Sequence, residues 1–262
     1  MRDMRNHYIQ KKFLELFVGD SGIYVYDLKN RRPLSMMKNA SNIAFQKNLY
    51  QFYSNPVTDL EIERRIKQIE DAGIELISKI IETETLPNME GLQKLYVYFL
   101  LQSMRTPCEC QTQLELAEKM NAYDGRYDYR DGVVSRFFDD EFYAAELFEL
   151  CNYYDVYLLK MDKPLFFVTD CFCASLTVPT KDKIIPLCGH LALYLVQKGN
   201  KDKRIDLTQK DKVQLITESD YLKLVCDFSC TVDRWVFACY NDIVKKFIPK
   251  WYDIMFGREG HE

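Results

Sequence analysis

Residues 95–106 read Leu-Tyr-Val-Tyr-Phe-Leu-Leu-Gln-Ser-Met-Arg-Thr, an apolar run that ends on an amide and a guanidinium. Gln102 and Arg105 stand three apart, so a helix here carries both on one face. Arg105 must find solvent or a carboxylate, because an unpaired buried guanidinium is very costly. A guanidinium held at such a place can also bind an anion. The other reactive grouping is Cys171-x-Cys173 with Cys188-x-His190, the one Cys/His set in the chain that offers four zinc ligands. A single intervening residue is tighter than the usual zinc spacing. Residues i and i+2 also share one face of a strand, so buried structural thiols are the favoured reading over zinc or a Cys–His nucleophile pair. Cys108-x-Cys110 follows Pro107 and has no histidine near it in sequence. The chain has no Walker A loop, no Gly-x-Gly-x-x-Gly, no Gly-x-Ser-x-Gly and no His-Glu-x-x-His.

These side chains need elements to hold them. Tyr8, Ile9, Phe13, Leu14, Leu16 and Phe17 make an apolar entry segment, a short helix or an extended stretch. Ile23-Tyr24-Val25-Tyr26 is β-branched and aromatic, and a turn at Lys29-Asn30 predicts a hairpin with residues 34–36. Residues 48–55 read as an aromatic loop. The spacing of Ile62, Ile66, Ile69, Gly73, Leu76, Ile77 and Ile80 predicts a helix over 59–83, with Thr58 as N-cap and Glu61 closing a capping box. A second helix runs from about Met89 to Arg105, is apolar nearly all round and is limited by Pro107. The short link through Pro87-Asn88 makes these two helices antiparallel neighbours. A further helix is expected over 111–121, a polar aromatic loop over 123–132, and another helix over 139–151.

The pattern then changes period. Strands are expected over 153–161 and 165–169, joined as partners by a turn at Asp162-Lys163, and again over 183–187 and 191–196. Residues 199–203 read as a charged turn or loop, 210–215 as helical, and 231–247 as a closing helix that stops before Pro249. The tail Lys245–Tyr252 mixes cations and rings, a pattern that can bind nucleic acid or a membrane surface. Rings on the core and lysines in solvent are the simpler reading. The fold class is α+β: an N-terminal hairpin and helical block packed on a mainly antiparallel sheet, with a closing C-terminal helix. One domain over 1–262 is expected, helical to about 151 and sheet-rich from about 152.

Composition excludes several classes. Hydrophobic residues are 47% and charged residues 28%, which is ordinary globular usage. Gly 10 and Pro 8 rule out collagen-like and low-complexity chains. A net charge of −4 gives no overall field toward nucleic acid, so polyanion binding would need a local basic patch. No apolar stretch approaches the roughly 20 residues that span a bilayer. The opening Met1–His7 is polar and leads into no signal-peptide core, so a cytoplasmic chain without a membrane partner is expected. Nine cysteines, an odd number mostly within apolar runs, argue for free thiols and no disulfide-linked partner.

Several segments carry a resemblance. His7-Tyr8-Ile9, then Phe13-Leu14 and Phe17, then Ile23-Tyr24-Val25-Tyr26-Asp27 resemble the opening of the bacterial family named domain of unknown function 4238. Ile69-Glu70, Leu101-Gln102-x-x-Arg105-Thr106-Pro107, Phe167-Val168-Thr169-Asp170 and Ile185-Pro186-Leu187 follow in that family's order. The landmarks span about residues 7–195. Gln10 stands where the family usually has Pro. Cys171-Phe172 replaces Asn-Pro, and Cys188-Gly189 replaces Ser-Pro.

The resemblance implies a set of polar positions: His7, Glu70, Gln102, Arg105 and Asp170. Glu70 or Asp170 is then the carboxylate expected beside Arg105. In one reading the five form a hydrolytic, nuclease-like site on a nucleic acid or other phosphate-containing substrate. His7 acts there as base or ligand, Arg105 binds the anion, and the carboxylates orient His7 or hold a divalent metal. In the other reading the protein is a non-catalytic binding or interaction protein and the same residues are a structural polar network. The cofactor is left open. The two readings separate on whether the groups converge in an open cleft or are sealed inside.

Overall fold

The computed structural model describes residues 5–20, 22–34, 38–47, 58–107, 139–172, 182–199, 213–225 and 234–256, with isolated positions at 109, 115, 119, 205 and 207. The expected loops over 48–55 and 123–132 lie outside these residues, as do nearly all of 111–121, Cys108, Cys110, Cys173 and residues 200–203. The side chains of Thr58 and Ile62 lie outside them too.

The entry segment is both things the sequence allowed. Strand β1 (Arg5–His7) is extended, and helix α1 (Lys11–Glu15) follows after Gln10. Phe13, Leu14 and Phe17 are completely buried. The hairpin forms from β2 (Tyr24–Asp27) and β3 (Arg32–Pro33), which pair antiparallel. The Leu34 N–H still reaches the Val25 carbonyl at 2.8 Å, so pairing runs into the expected second strand. The Asp27 carboxylate accepts bonds from the Asn30 main chain and amide, and Arg31 takes a positive φ of 49°, which together close the turn. Strand β4 (Phe45–Lys47) returns to pair with β1, placing Phe45 opposite His7.

The two long helices stand as expected. Helix α2 spans Thr58–Thr83 and helix α3 spans Met89–Met104, with Asn88 capping α3 through Gly91 N–H at 2.9 Å. They pack tightly at Gly73. A Cβ there would sit 2.2 Å from the Tyr98 ring, so only glycine lets that ring lie between the helices. Helix α4 (Asp140–Tyr153) begins on an Asp139 cap that accepts the Phe142 N–H at 2.9 Å.

The strands form two four-stranded sheets. Strands β5 (Tyr154–Lys160), β6 (Phe167–Thr169), β7 (Lys183–Pro186), β8 (Leu191–Gln197), β9 (Val213–Leu215) and β10 (Trp235–Ala238) divide between them. One sheet has the order β3-β2-β10-β6 and is antiparallel throughout. The other has the order β7-β8-β5-β9, with β9 parallel to β5. Three expectations are corrected here. Strands β5 and β6 are not hairpin partners: β5 is paired along its whole length with β8, and Leu158–Lys160 pair on the other edge with β9, so the end of β5 next to the turn has no edge left. Strand β6 crosses to the other sheet and pairs with β10. Residues 213–215 are strand rather than helix, because Val213-Gln214-Leu215 joins that second edge of β5. Residues 235–238 are also strand. Trp235-Val236-Phe237-Ala238 is apolar at every position, and the sheet buries it on both faces.

The closing helix therefore starts later and runs further. Helix α5 (Glu218–Val225) precedes β10. A π-helical turn over Ile243–Phe247 then leads into helix α6 (Ile248–Phe256). The sequence alone ends the helix before Pro249. In the structure Ile248 N–H bonds to Ile243 O across five residues, and the widened turn admits the Pro249 ring, whose missing N–H costs little there. Phe247 and Trp251 are buried while Lys245, Lys246 and Lys250 face solvent, as the simpler reading of the tail had it.

Each inner strand serves two cores. Leu191, Leu193 and Leu195 of β8 enter the core shared with α2 and α3. The alternate residues Ala192, Tyr194 and Val196 enter a second core with Tyr221, Phe247 and Trp251. This explains why the segment is apolar without alternation: both faces are covered by helices. Among the described residues no helix is long and apolar enough to cross a membrane.

Gly73→Ala is expected to destabilise the fold by about 1–3 kcal/mol, the usual cost of overpacking a closed core. The denaturant midpoint checks this. An unchanged midpoint contradicts the close packing of Tyr98 between α2 and α3.

Candidate functional site

Tyr98, Gln102 and Arg105 follow one another at four and three residues, so α3 presents them on a single face. That face meets β1 and the start of α1 on one side and Glu70 of α2 on the other. Tyr98 Oη donates to Gln10 Oε1 at 2.9 Å. The Gln10 main-chain N–H donates to Gln102 Oε1 at 2.8 Å, and Gln102 Nε2 donates to Glu70 Oε1 at 3.3 Å. Arg105 Nη1 donates to the same Glu70 oxygen, and Arg105 Nη2 donates to the main-chain carbonyl of His7. The guanidinium thus clamps a carboxylate and a strand carbonyl together.

The network is almost sealed. Arg105 is 4% exposed, Gln102 is fully buried and the Glu70 side chain is 15% exposed. The carboxylate expected beside Arg105 is therefore Glu70. Asp170 is engaged elsewhere. Its Oδ2 accepts the main-chain N–H groups of Arg234 at 2.8 Å and Trp235 at 3.0 Å, fixing the end of β6 against β10. Arg234 itself donates to Asp27 Oδ2 at 3.0 Å and lies over the Trp235 ring at 4.3 Å. Four of the five expected positions come together, and Asp170 belongs to a second set with Asp27, Arg234 and Trp235.

His7 joins the first set through its backbone. Its ring packs edge-on to Phe45 at 6.0 Å. Burial lowers the imidazole pKa, the Arg105 charge lowers it further, and a backbone hydrogen bond with Ile43 opposes them. The ring is neutral at pH 7.

Two members were not among the expected residues. In sequence Gln10 stands out only as a departure from a proline. Its N–H is what Gln102 binds, and a proline has none. Tyr98 reads in sequence simply as part of the apolar run. Its spacing of four and seven from Gln102 and Arg105 was the available signal.

The cysteine set is dispersed in role. Cys171 is buried, Cys188 is partly buried, and the exposed His190 lies with Nδ1 3.0 Å from the Met161 carbonyl. Burial raises the thiol pKa of both Cys188 and Cys239, the latter to about 11, so these are unreactive thiols at neutral pH. Among the described residues no group of three or more His, Cys, Asp or Glu side chains is arranged to hold a metal ion.

The model of the family described as "Protein of unknown function (DUF4238)" matches residues 5–144. The matched stretch contains His7, Gln10, Glu70, Tyr98, Gln102 and Arg105, and Asp170 lies beyond it. No curated protein and no solved structure matches the chain.

Arg105→Ala should cost about 3–5 kcal/mol, because it leaves the Glu70 carboxylate without its counter-charge and takes the Arg105 donor from the His7 carbonyl. Arg105→Lys should recover only part of that loss, since an ammonium lacks the planar fork. Denaturant midpoints measure both, and a midpoint equal to wild type for Arg105→Ala contradicts the clamp. The His7 shift has its own consequence. The folded pKa lies below the unfolded value near 6.5, so the unfolded state binds more protons as pH falls through that region. The His7 contribution is fully present above about pH 6.5. It is lost as pH drops toward the lowered folded pKa. His7→Asn should flatten the stability profile below about pH 6.5, and an identical slope in both proteins contradicts the burial of the ring.

Proposed function

We propose that the chain, which belongs to the DUF4238 family, is a non-catalytic binding or interaction protein whose Arg105 network is structural. The observation that carries this reading is the commitment of Arg105. A guanidinium that stabilises charge on a phosphate needs donors aimed at the place where that charge develops. Both terminal nitrogens of Arg105 instead face protein oxygens, on a side chain only 4% exposed. Glu70 and Gln102 are likewise turned inward, toward each other and toward Gln10. The network joins β1 and the start of α1 to α2 and α3, which is what a structural tie does.

The hydrolytic, nuclease-like reading has one observation of its own. The His7 ring is only half-buried and is neutral at pH 7, the state a general base requires. The clamp constrains that reading, because Arg105 is bound to the carbonyl of His7 itself.

Purified protein should therefore show no His7-dependent turnover of bis(p-nitrophenyl) phosphate, single-stranded DNA or RNA, with or without added Mg²⁺ or Mn²⁺. Hydrolysis that disappears in His7→Ala while the thermal melt is retained would make the protein an enzyme and remove the binding reading.

A further inference from the structure

Where the β3-β2-β10-β6 sheet meets the β1–β4 ribbon there is a cavity of about 230 Å³. Four of its walls are rings: Tyr8, Phe45, Trp235 and Phe237. They come from three separate parts of the chain. The pairing of β10 with β2 and of β1 with β4 brings them to one place. The space suits one ring or two fused rings. Aromatic walls favour a planar guest, which can stack offset or meet them edge-on.

The sign of the guest follows from the polar wall. Lys38 and Asn42 line the same cavity. The Lys38 main chain is pinned by two 2.8 Å bonds with Ile23. Among the described residues its ammonium enters no ion pair. Arg234, over the Trp235 ring at 4.3 Å, is neutralised by Asp27 and so leaves Lys38 as the cation that, among the described residues, lines the cavity. Rings arranged this way would otherwise attract an ammonium ligand. An ammonium group would be repelled by Lys38, whereas an anion gains a charge-assisted hydrogen bond from it.

We propose that this cavity binds a planar aromatic anion, with its ring against Tyr8, Phe45 and Trp235 and its anionic group on the Lys38 ammonium. The proposal rests on the binding reading above and gives it a site and a ligand class. The anion can be a carboxylate on the ring or a phosphate attached to it, and Lys38 serves either.

Calorimetric titration of the full chain tests this with four probes: indole-3-carboxylate, 1-naphthyl phosphate, neutral indole and choline. At least one of the two anions should bind, and the better one identifies the anionic group. Lys38→Gln should weaken that anion about tenfold or more, the scale of one charge-assisted hydrogen bond. The same substitution should leave indole unaffected. The Lys38 side chain takes no part in the Ile23 pairing, so Lys38→Gln keeps the fold, and a thermal melt verifies that. Phe45→Leu should weaken indole and the bound anion together, reporting the rings separately from the charge. Absence of binding by both anions, anion binding unchanged in Lys38→Gln, or choline binding in their place overturns the proposal. None of these outcomes touches the binding reading, which falls only to His7-dependent hydrolysis.

Discussion

The buried pair of Arg105 and Glu70, closed onto the carbonyl of His7, is the constraint around which the N-terminal part of the molecule is arranged. Removing two charges from water is expensive, and their attraction repays it only when the remaining donors and acceptors are also satisfied. Here Gln102 supplies a second donor to the same carboxylate and Gln10 supplies a donor to Gln102. Three segments far apart in sequence must therefore arrive together: residues 7–10, Glu70 and the last two turns of α3. A register change in α3 would move Tyr98, Gln102 and Arg105 off their common face at once.

The packing around this clamp follows the same logic in apolar terms. Gly73 lets the Tyr98 ring lie against α2, and that position puts the Tyr98 hydroxyl within 2.9 Å of Gln10. The polar network and the tight packing at Gly73 thus depend on one side chain. On the sheet side, β8 separates two cores, with leucines on one face and Ala192, Tyr194 and Val196 on the other. The sheets hold the helices at fixed distance on both sides, and the Asp170 carboxylate ties β6 to β10 by accepting two main-chain N–H groups.

The structural role proposed for the clamp assigns recognition to surfaces elsewhere. The ring-lined cavity beside Lys38 is joined to the clamp through the β1–β4 pairing, in which His7 of the clamp and Phe45 of the cavity wall are directly opposed. The clamp that holds β1 also holds one wall of that cavity, because Tyr8 follows His7 and its N–H bonds to the Ala44 carbonyl at 2.9 Å. Buried polar groups are thus coupled to an open aromatic site through a single short strand.

Much of this was written in local pattern. The 3.6-residue spacing of Ile66, Ile77 and Ile80 placed α2, and the unbroken apolar run of residues 95–101 announced that the second half of α3 is buried nearly all round. Arg105 at the end of that run required a carboxylate, and the landmark segments identified the family. Partner choice was not local. Glu70 and Asp170 were equal candidates for Arg105 until the packing of α2 on α3 brought one of them to it. Strand β6 followed β5 after a plausible turn, yet the end of β5 next to that turn had both edges occupied and β6 went to β10. Residues 231–247 carried enough helix-forming character to conceal β10, which is a strand only because β2 and β6 flank it. The sequence by itself determined period, burial and the need for certain partners, since these depend on the side chains of one segment. The tertiary structure alone decided which edge, which carboxylate and which rings meet, because each such choice compares segments that are neighbours only after folding.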